Sequence, residues 1–246
     1  MTLLDFPGHV ACTVFLGGCD FRCPFCHNYE LVDGSAPAVM EEEEVFAFLE
    51  KRKGLLDGVA VTGGEPCLHR ELPEFLKKVR AMGYLTKVDT NGNHPEVLRK
   101  ILQEGLADYV AMDIKNSPAK YALTCGLEGA GPECFDHSKN CESTGLEGAG
   151  QECFDLSKIR ESIGRLMESG VDHEFRTTVV EELHEEEDIR EIGEMIRGAK
   201  QYFLQSFTDR DTVPYGNLHA PDPEKVREFA RIAGEYVQTV EIRGID

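Results

Sequence analysis

The chain has 246 residues, and 26 Lys plus Arg against 45 Asp plus Glu give a net charge of −19. That field repels phosphate backbones, and the densest basic cluster is Lys51-Arg52-Lys53, so the composition argues against nucleic acid as a partner. No apolar run reaches membrane-spanning length and MTLLDFPGHV lacks the pattern of a signal peptide, so the expectation is a soluble, cytoplasmic protein with no membrane partner. Nine cysteines, an odd number without an export signal, point to thiolate chemistry rather than disulfides.

The first strand is read at Val10–Leu16, an apolar run bounded by glycines. Directly after it comes GGCDFRCPFCHN, which places Cys19, Cys23 and Cys26 in a C-x3-C-x2-C spacing. Thiolates packed so closely on one loop are metal ligands. Three are one short of the four that close a structural zinc site or a fully protein-held iron–sulfur cube. One metal position would stay open for chemistry. The competing reading is a zinc knuckle completed by Cys12 or His27.

Further strands are predicted at Val59–Thr62, Leu85–Asp89, Tyr109–Ile114, Phe175–Val180, Tyr202–Phe207 and Val237–Ile242. Helical periodicity lies between them at Glu42–Lys51, Glu71–Met82, Pro95–Glu104, Ser157–Ser169, Glu185–Arg197 and Pro223–Tyr236. This alternation implies α/β architecture with parallel strands and right-handed crossovers. Six or so units are too few for a closed eight-fold barrel, so a partial, open (β/α)6-type barrel is expected. The acidic runs Glu41–Glu44 and Glu181–Glu191 read as solvated helix starts.

Residues just after the strands of such a fold converge at one end, and the polar signals lie there. Thr62-Gly63-Gly64-Glu65-Pro66 follows the second strand, its glycines permitting close backbone approach. Asp89-Thr90-Asn91-Gly92 follows the third strand, and Asp113-Ile114-Lys115 follows the fourth. Arg176 opens the fifth. Taken singly, these are a βα turn, an Asx-capped turn, a surface ion pair and a snorkelling arginine. Together they surround one place with carboxylates, an ammonium and a guanidinium. His219, in GNLHAP, reads as a surface-loop residue.

The cysteine spacing followed by GGEP resembles the radical S-adenosylmethionine (SAM) enzymes. DTNG and D-x-K resemble the glycyl-radical-enzyme activating proteins within them. TLLDFPG, CHN and EIRG are similar to one subgroup, the anaerobic ribonucleoside-triphosphate reductase activating proteins. The resemblance implies a single radical SAM domain over 1–246, interrupted by a loop insertion at about 123–156. It implies a [4Fe–4S] cluster on Cys19, Cys23 and Cys26, with SAM chelating the fourth iron. SAM contacts would come from Gly63, Gly64, Glu65, Pro66, Asp89, Asn91, Lys115 and Arg176. Asp89 and Asp113 would also help hold a monovalent cation. The implied activity is that of an oxidoreductase: an electron from flavodoxin or ferredoxin cleaves SAM, and the resulting radical takes hydrogen from a glycine of a partner enzyme. Anaerobic ribonucleotide reductase is the expected partner. Other readings are a pyruvate formate-lyase-type activase, a small-molecule radical SAM enzyme such as 7-carboxy-7-deazaguanine synthase, and a non-enzymatic zinc-binding module.

One stretch departs from this pattern. GLEGAGPECFDHSK at 126–139 recurs as GLEGAGQECFDLSK at 145–158, a tandem duplication offset by 19 residues. It brings Cys125, Cys134, Cys141 and Cys153 into one segment. An auxiliary cluster there would lack any C-x2-C pair, so a neutral loop expansion, or a surface contacting the partner, is the simpler expectation.

Overall fold

The computed structural model describes residues 2, 4–127, 154–210 and 212–245. Seven strands form one parallel sheet in the order of the sequence: β1 (Ala11–Leu16), β2 (Gly58–Gly63), β3 (Leu85–Thr90), β4 (Tyr109–Asp113), β5 (Asp172–Val179), β6 (Gln201–Ser206) and β7 (Thr239–Arg243). Every crossover advances by one strand in the same direction, so right-handed connections put the helices on one side and roll the sheet. Among the described residues β1 and β7 do not pair, which leaves the barrel open. At the β1 edge, Thr2 and Ala11 exchange two backbone hydrogen bonds of 2.7 and 3.0 Å.

The helices are α1 (Tyr29–Asp33), α2 (Glu42–Glu50), α3 (Leu72–Ala81), α4 (Pro95–Gln103), α5 (Tyr121–Thr124), α6 (Leu156–Glu168), α7 (Glu186–Met195) and α8 (Pro223–Ala233), with a 3-10 turn at Pro66–Leu68. The six longer helices are those the sequence predicts. Local chemistry starts them. The Asp155 carboxylate caps α6 through Ser157 N at 3.0 Å, and Asp222 caps α8 through Glu224 N at 2.7 Å, with Pro223 following it. Their apolar faces recur at helical spacing, as Leu72, Leu76 and Val79 do on α3 and Val226, Phe229 and Ala233 on α8. None of the described helices is long and apolar enough to cross a membrane.

Strand alternation separates two environments. On β3 to β5, Val88, Val110, Met112 and Phe175 are fully buried on the helix side. Their neighbours Lys87, Asp89, Asp113, Glu174 and Arg176 turn to the concave side. Glu174 accepts from Tyr109 Oη at 2.9 Å and from Arg243 at 3.2 Å, which ties the last strand to the middle of the sheet. Strand ends depart from the sequence reading by a few residues. β5 begins at Asp172 rather than Phe175, because His173 and Glu174 are buried on its two faces despite their polarity. β7 begins at Thr239 rather than Val237.

Candidate active site

The loop after β1 is held on three sides by backbone bonds. Gly18 N donates to Leu31 O at 2.7 Å, Glu65 N to Gly18 O at 2.8 Å, and Arg22 N to Cys125 O at 2.8 Å. The Arg22 guanidinium folds back onto the carbonyls of Cys19 and Phe21. Phe21 and Phe25 are buried and line the cavity beside the cysteines. This leaves Cys19, Cys23 and Cys26 lining one cavity of about 200 Å³. Phe21 N donates to Cys19 Sγ at 3.4 Å, and Asn91 Nδ2 lies 3.8 Å from the same sulfur. Burial pushes the Cys19 and Cys26 thiols up. Cys23 goes the other way: a hydrogen bond with Cys125 and the nearby Lys115 outweigh burial and hold it down.

The three thiols fit a polynuclear cluster. They line one cavity from separate positions along the loop. A cube bound by one thiolate per iron asks for such a spread. The zinc alternative loses its proposed fourth ligands. Cys12 pairs in register with Val59 and shares its helix-side face. His27 Nε2 lies 2.7 Å from Thr208 O, and its ring stacks on Phe207.

Gly63 and Gly64 are required by the chain itself. Gly63 has φ 123°, and a Cβ there would lie 2.3 Å from Leu16 O; one on Gly64 would lie 2.0 Å from Gly18 O. The close approach is therefore between the β2 turn and the cysteine loop. Glu65 is 1% exposed and its carboxylate accepts from Cys67 N at 2.8 Å, Thr90 Oγ1 at 2.7 Å and Asn91 N at 2.5 Å. Burial lifts this carboxyl to about 7 despite those donors. The side chain thus welds the turns after β2 and β3 together, and the cavity is offered the backbone of Gly63 and Gly64. Pro66 is buried in the 3-10 turn.

Asp89, Asn91, Asp113, Lys115 and Arg176 line the same cavity. Asp-x-Lys is a part-buried pair, with Lys115 Nζ 2.9 Å from Asp113 Oδ2. Arg176 bridges both aspartates, its Nε donating to Asp113 Oδ1 at 2.8 Å and its Nη1 to Asp89 Oδ2 at 3.3 Å. Burial alone would raise the Asp113 carboxyl, but Arg176 and Lys115 hold it well below the usual range. The arrangement offers both signs of charge within reach of one zwitterion.

Several residues were not singled out from sequence. Asp20 accepts from Asn91 Nδ2 at 2.9 Å, from Asn93 Nδ2, and faces His94 Nε2 at 3.1 Å. Burial works against the Asp20 charge, and these partners hold its carboxyl at about 2. Lys87 is 3% exposed and ion-paired with Asp89. His184 is fully buried behind the site, its Nε2 2.9 Å from Lys115 O and its Nδ1 accepting from Val180 N at 3.1 Å. His219 lies apart, exposed and bonded to Glu182. The acidic run 181–191 is only partly solvated: Asp188 is 4% exposed and accepts from Ser117 Oγ and Lys120 Nζ. Cys125 is buried against Cys23, while Cys134, Cys141 and Cys153 lie outside the described residues.

Residues 13–135 match the model of the radical SAM superfamily. The chain is 30% identical over 251 residues to the "putative glycyl-radical enzyme activating enzyme" of Methanocaldococcus jannaschii, covering 100% of this chain and 94% of that one. It is 34% identical to the pyruvate formate-lyase-activating enzyme of Clostridium pasteurianum over 47% of this chain and 50% of that protein. It is 30% identical to the 7-carboxy-7-deazaguanine synthase of Thermococcus kodakarensis over 44% and 49%. The structure of Streptococcus suis SuiB bound to S-adenosylmethionine superposes with a TM-score of 0.65 at 12% identity, covering 96% of this chain and 50% of that one, a likeness of fold.

Proposed function

Because the chain belongs to the radical SAM superfamily, we propose that it activates a glycyl-radical enzyme, with anaerobic ribonucleoside-triphosphate reductase as the partner. The observation that carries this reading is the shared cavity of Cys19, Cys23 and Cys26 with Gly63, Gly64, Asp89, Lys115 and Arg176. When bound, a [4Fe–4S] cluster and SAM would supply the chemistry, reductive cleavage of the sulfonium and radical abstraction of hydrogen from a glycine Cα.

The chain's own residues position and neutralise. Cys19, Cys23 and Cys26 would hold the cluster as thiolates, and Lys115 would offset part of their charge. The Gly63 and Gly64 backbone and Asp89 would receive the SAM ammonium, and Lys115 and Arg176 its carboxylate. Asn91 connects the two halves, its side chain near Cys19 Sγ and its backbone N–H on Glu65. Phe21 and Phe25 give the cavity an apolar wall that would keep water from the cluster. The partner choice rests on TLLDFPG, CHN and EIRG. The proposed compartment is the cytoplasm, and the proposed reductant a flavodoxin or ferredoxin.

The test is anaerobic reconstitution with iron and sulfide, followed by dithionite and SAM. The reading expects about four irons per chain, release of 5′-deoxyadenosine, and loss of both in Cys23→Ala. Added anaerobic ribonucleotide reductase should then show a glycyl-radical signal by electron paramagnetic resonance. A signal with pyruvate formate-lyase alone would reassign the partner. Turnover of a deazapurine precursor without any protein radical would replace the activase reading, and bound zinc without SAM cleavage would end it.

A further inference from the structure

Two carboxylates on the concave face, Asp89 and Asp113, are met by three cations. Lys115 and Arg176 line the cavity with side chains 16% and 15% exposed. The third, Lys87, is outside the cavity lining and 3% exposed. It stands two residues before Asp89 on β3, so both side chains leave the strand on the same face. Its ammonium pairs with Asp89 Oδ1 and lies 6.0 Å from the centroid of the Tyr109 ring.

Each of the four carboxylate oxygens therefore faces a side-chain cation. Asp89 Oδ1 faces Lys87, Asp89 Oδ2 and Asp113 Oδ1 face Arg176, and Asp113 Oδ2 faces Lys115. A monovalent metal ion between these aspartates, as the family resemblance implies, does not fit. It would lie against the guanidinium that bridges them and beside a buried ammonium, with like charges at close range in a poorly screened interior.

We propose that Lys87 is a built-in monovalent cation, standing where a metal ion would otherwise serve Asp89 and holding that carboxylate in place without Na⁺ or K⁺. The division of labour follows from exposure. Lys115 and Arg176 face the cavity and can be drawn toward the carboxylate of an incoming ligand. Lys87 lies beneath the cavity floor and cannot reach one. When a ligand takes Arg176 away from Asp89, Lys87 remains as its partner. Lysine suits this role because its ammonium is a compact point charge, closer to an alkali ion than a guanidinium is. Lys87 acts through Asp89 and is a positioning residue. The inference concerns the protein's own charge balance and stands or falls independently of the partner and reaction proposed above.

The test compares NaCl, KCl and choline chloride at equal ionic strength, under anaerobic conditions, on the cluster-reconstituted protein. Thermal melting and SAM affinity are the readouts. The wild-type protein should show the same melting temperature and affinity in all three salts. Lys87→Met should melt lower in choline chloride and regain about 2–4 °C or more in NaCl or KCl, along a curve that saturates with the metal ion. A packing role alone would give the variant the same loss in every salt, and that result would overturn the proposal. So would a saturable Na⁺ or K⁺ requirement in the wild-type protein. If Lys87→Met does not fold, the wild-type comparison decides by itself: indifference to the cation supports the proposal and dependence refutes it.

Discussion

Replacing Gly64 with alanine tests whether the cysteine loop is built on contact with the β2 turn. The added Cβ would lie 2.0 Å from Gly18 O and 2.7 Å from Gly18 C, both backbone atoms. Reaching an ordinary contact of 3.4 Å requires the two segments to separate by about 1.4 Å. That opening breaks the 2.8 Å bond from Glu65 N to Gly18 O. A lost hydrogen bond costs about 1 kcal/mol, and backbone overpacking adds about 1–3 kcal/mol. The sum of about 2–4 kcal/mol corresponds to a fall in Tm of roughly 4–16 °C for a chain of this size. Cys19 follows Gly18 directly, so iron binding should suffer with stability. Scanning calorimetry and an iron count after reconstitution measure both, with Gly164→Ala as control, since a Cβ there meets nothing within 4 Å. A Gly64→Ala protein that melts with the wild type and retains its full iron would refute the reasoning.

Glu65 makes stability depend on pH. Its carboxyl moves from 4.5 to about 7 on folding through burial, so its contribution is complete below pH 4.5 and is lost as the pH rises through 7. The shift amounts to about 3 kcal/mol, and the stability difference between wild type and Glu65→Gln, from urea melts, should narrow by that much across this window; a constant difference would count against it. His184→Leu strands the Lys115 carbonyl and the Val180 N–H in the interior, each costing about 1–3 kcal/mol. Its urea midpoint should drop accordingly, and an unchanged midpoint would show that those groups find other partners.

The strands and long helices were legible because each carries a period and a punctuating Gly, Pro or cap. The five-residue α1 and four-residue α5 were not, being shorter than the window over which a helical period shows itself. The cysteine loop and the polar turns were legible because a sequentially ordered parallel sheet brings strand ends together. The residues missed act across the sheet or behind it. Lys87 had a usable signal, since an amphipathic reading of Leu85–Thr90 puts it on the face of Asp89. Asp20, Asn93 and His94 had none: their meeting depends on how the loops after β1 and β3 fold toward each other. His184 was hidden in an acidic run whose composition suggests solvent. The paired glycines were correctly placed, but what they approach is another turn of the same chain, which spacing alone cannot distinguish from a ligand.

The duplicated segment meets the described structure at its two outer margins. From the first copy, Gly126 has φ 70°, and a Cβ there would lie 2.2 Å from Arg22 O. From the second copy, Phe154 stacks on Tyr121 at 5.3 Å, and Asp155 caps α6. Among the described residues, one repeat unit therefore supplies the anchors, with its head taken from one copy and its tail from the other. Excising Gly126–Thr144 would hand Gly145 and Leu146 the places of Gly126 and Leu127 and leave the tail untouched. Gaining the extra 19 residues would likewise have left these described anchors in register, and lengthening the connection between Leu127 and Phe154 by that much adds only roughly 1 kcal/mol of closure entropy. Such a junction can lengthen or shorten by whole units at small thermodynamic cost, so this seam beside the cysteine loop is a place where descendants of the chain can acquire new sequence while the machinery next to it stays unchanged.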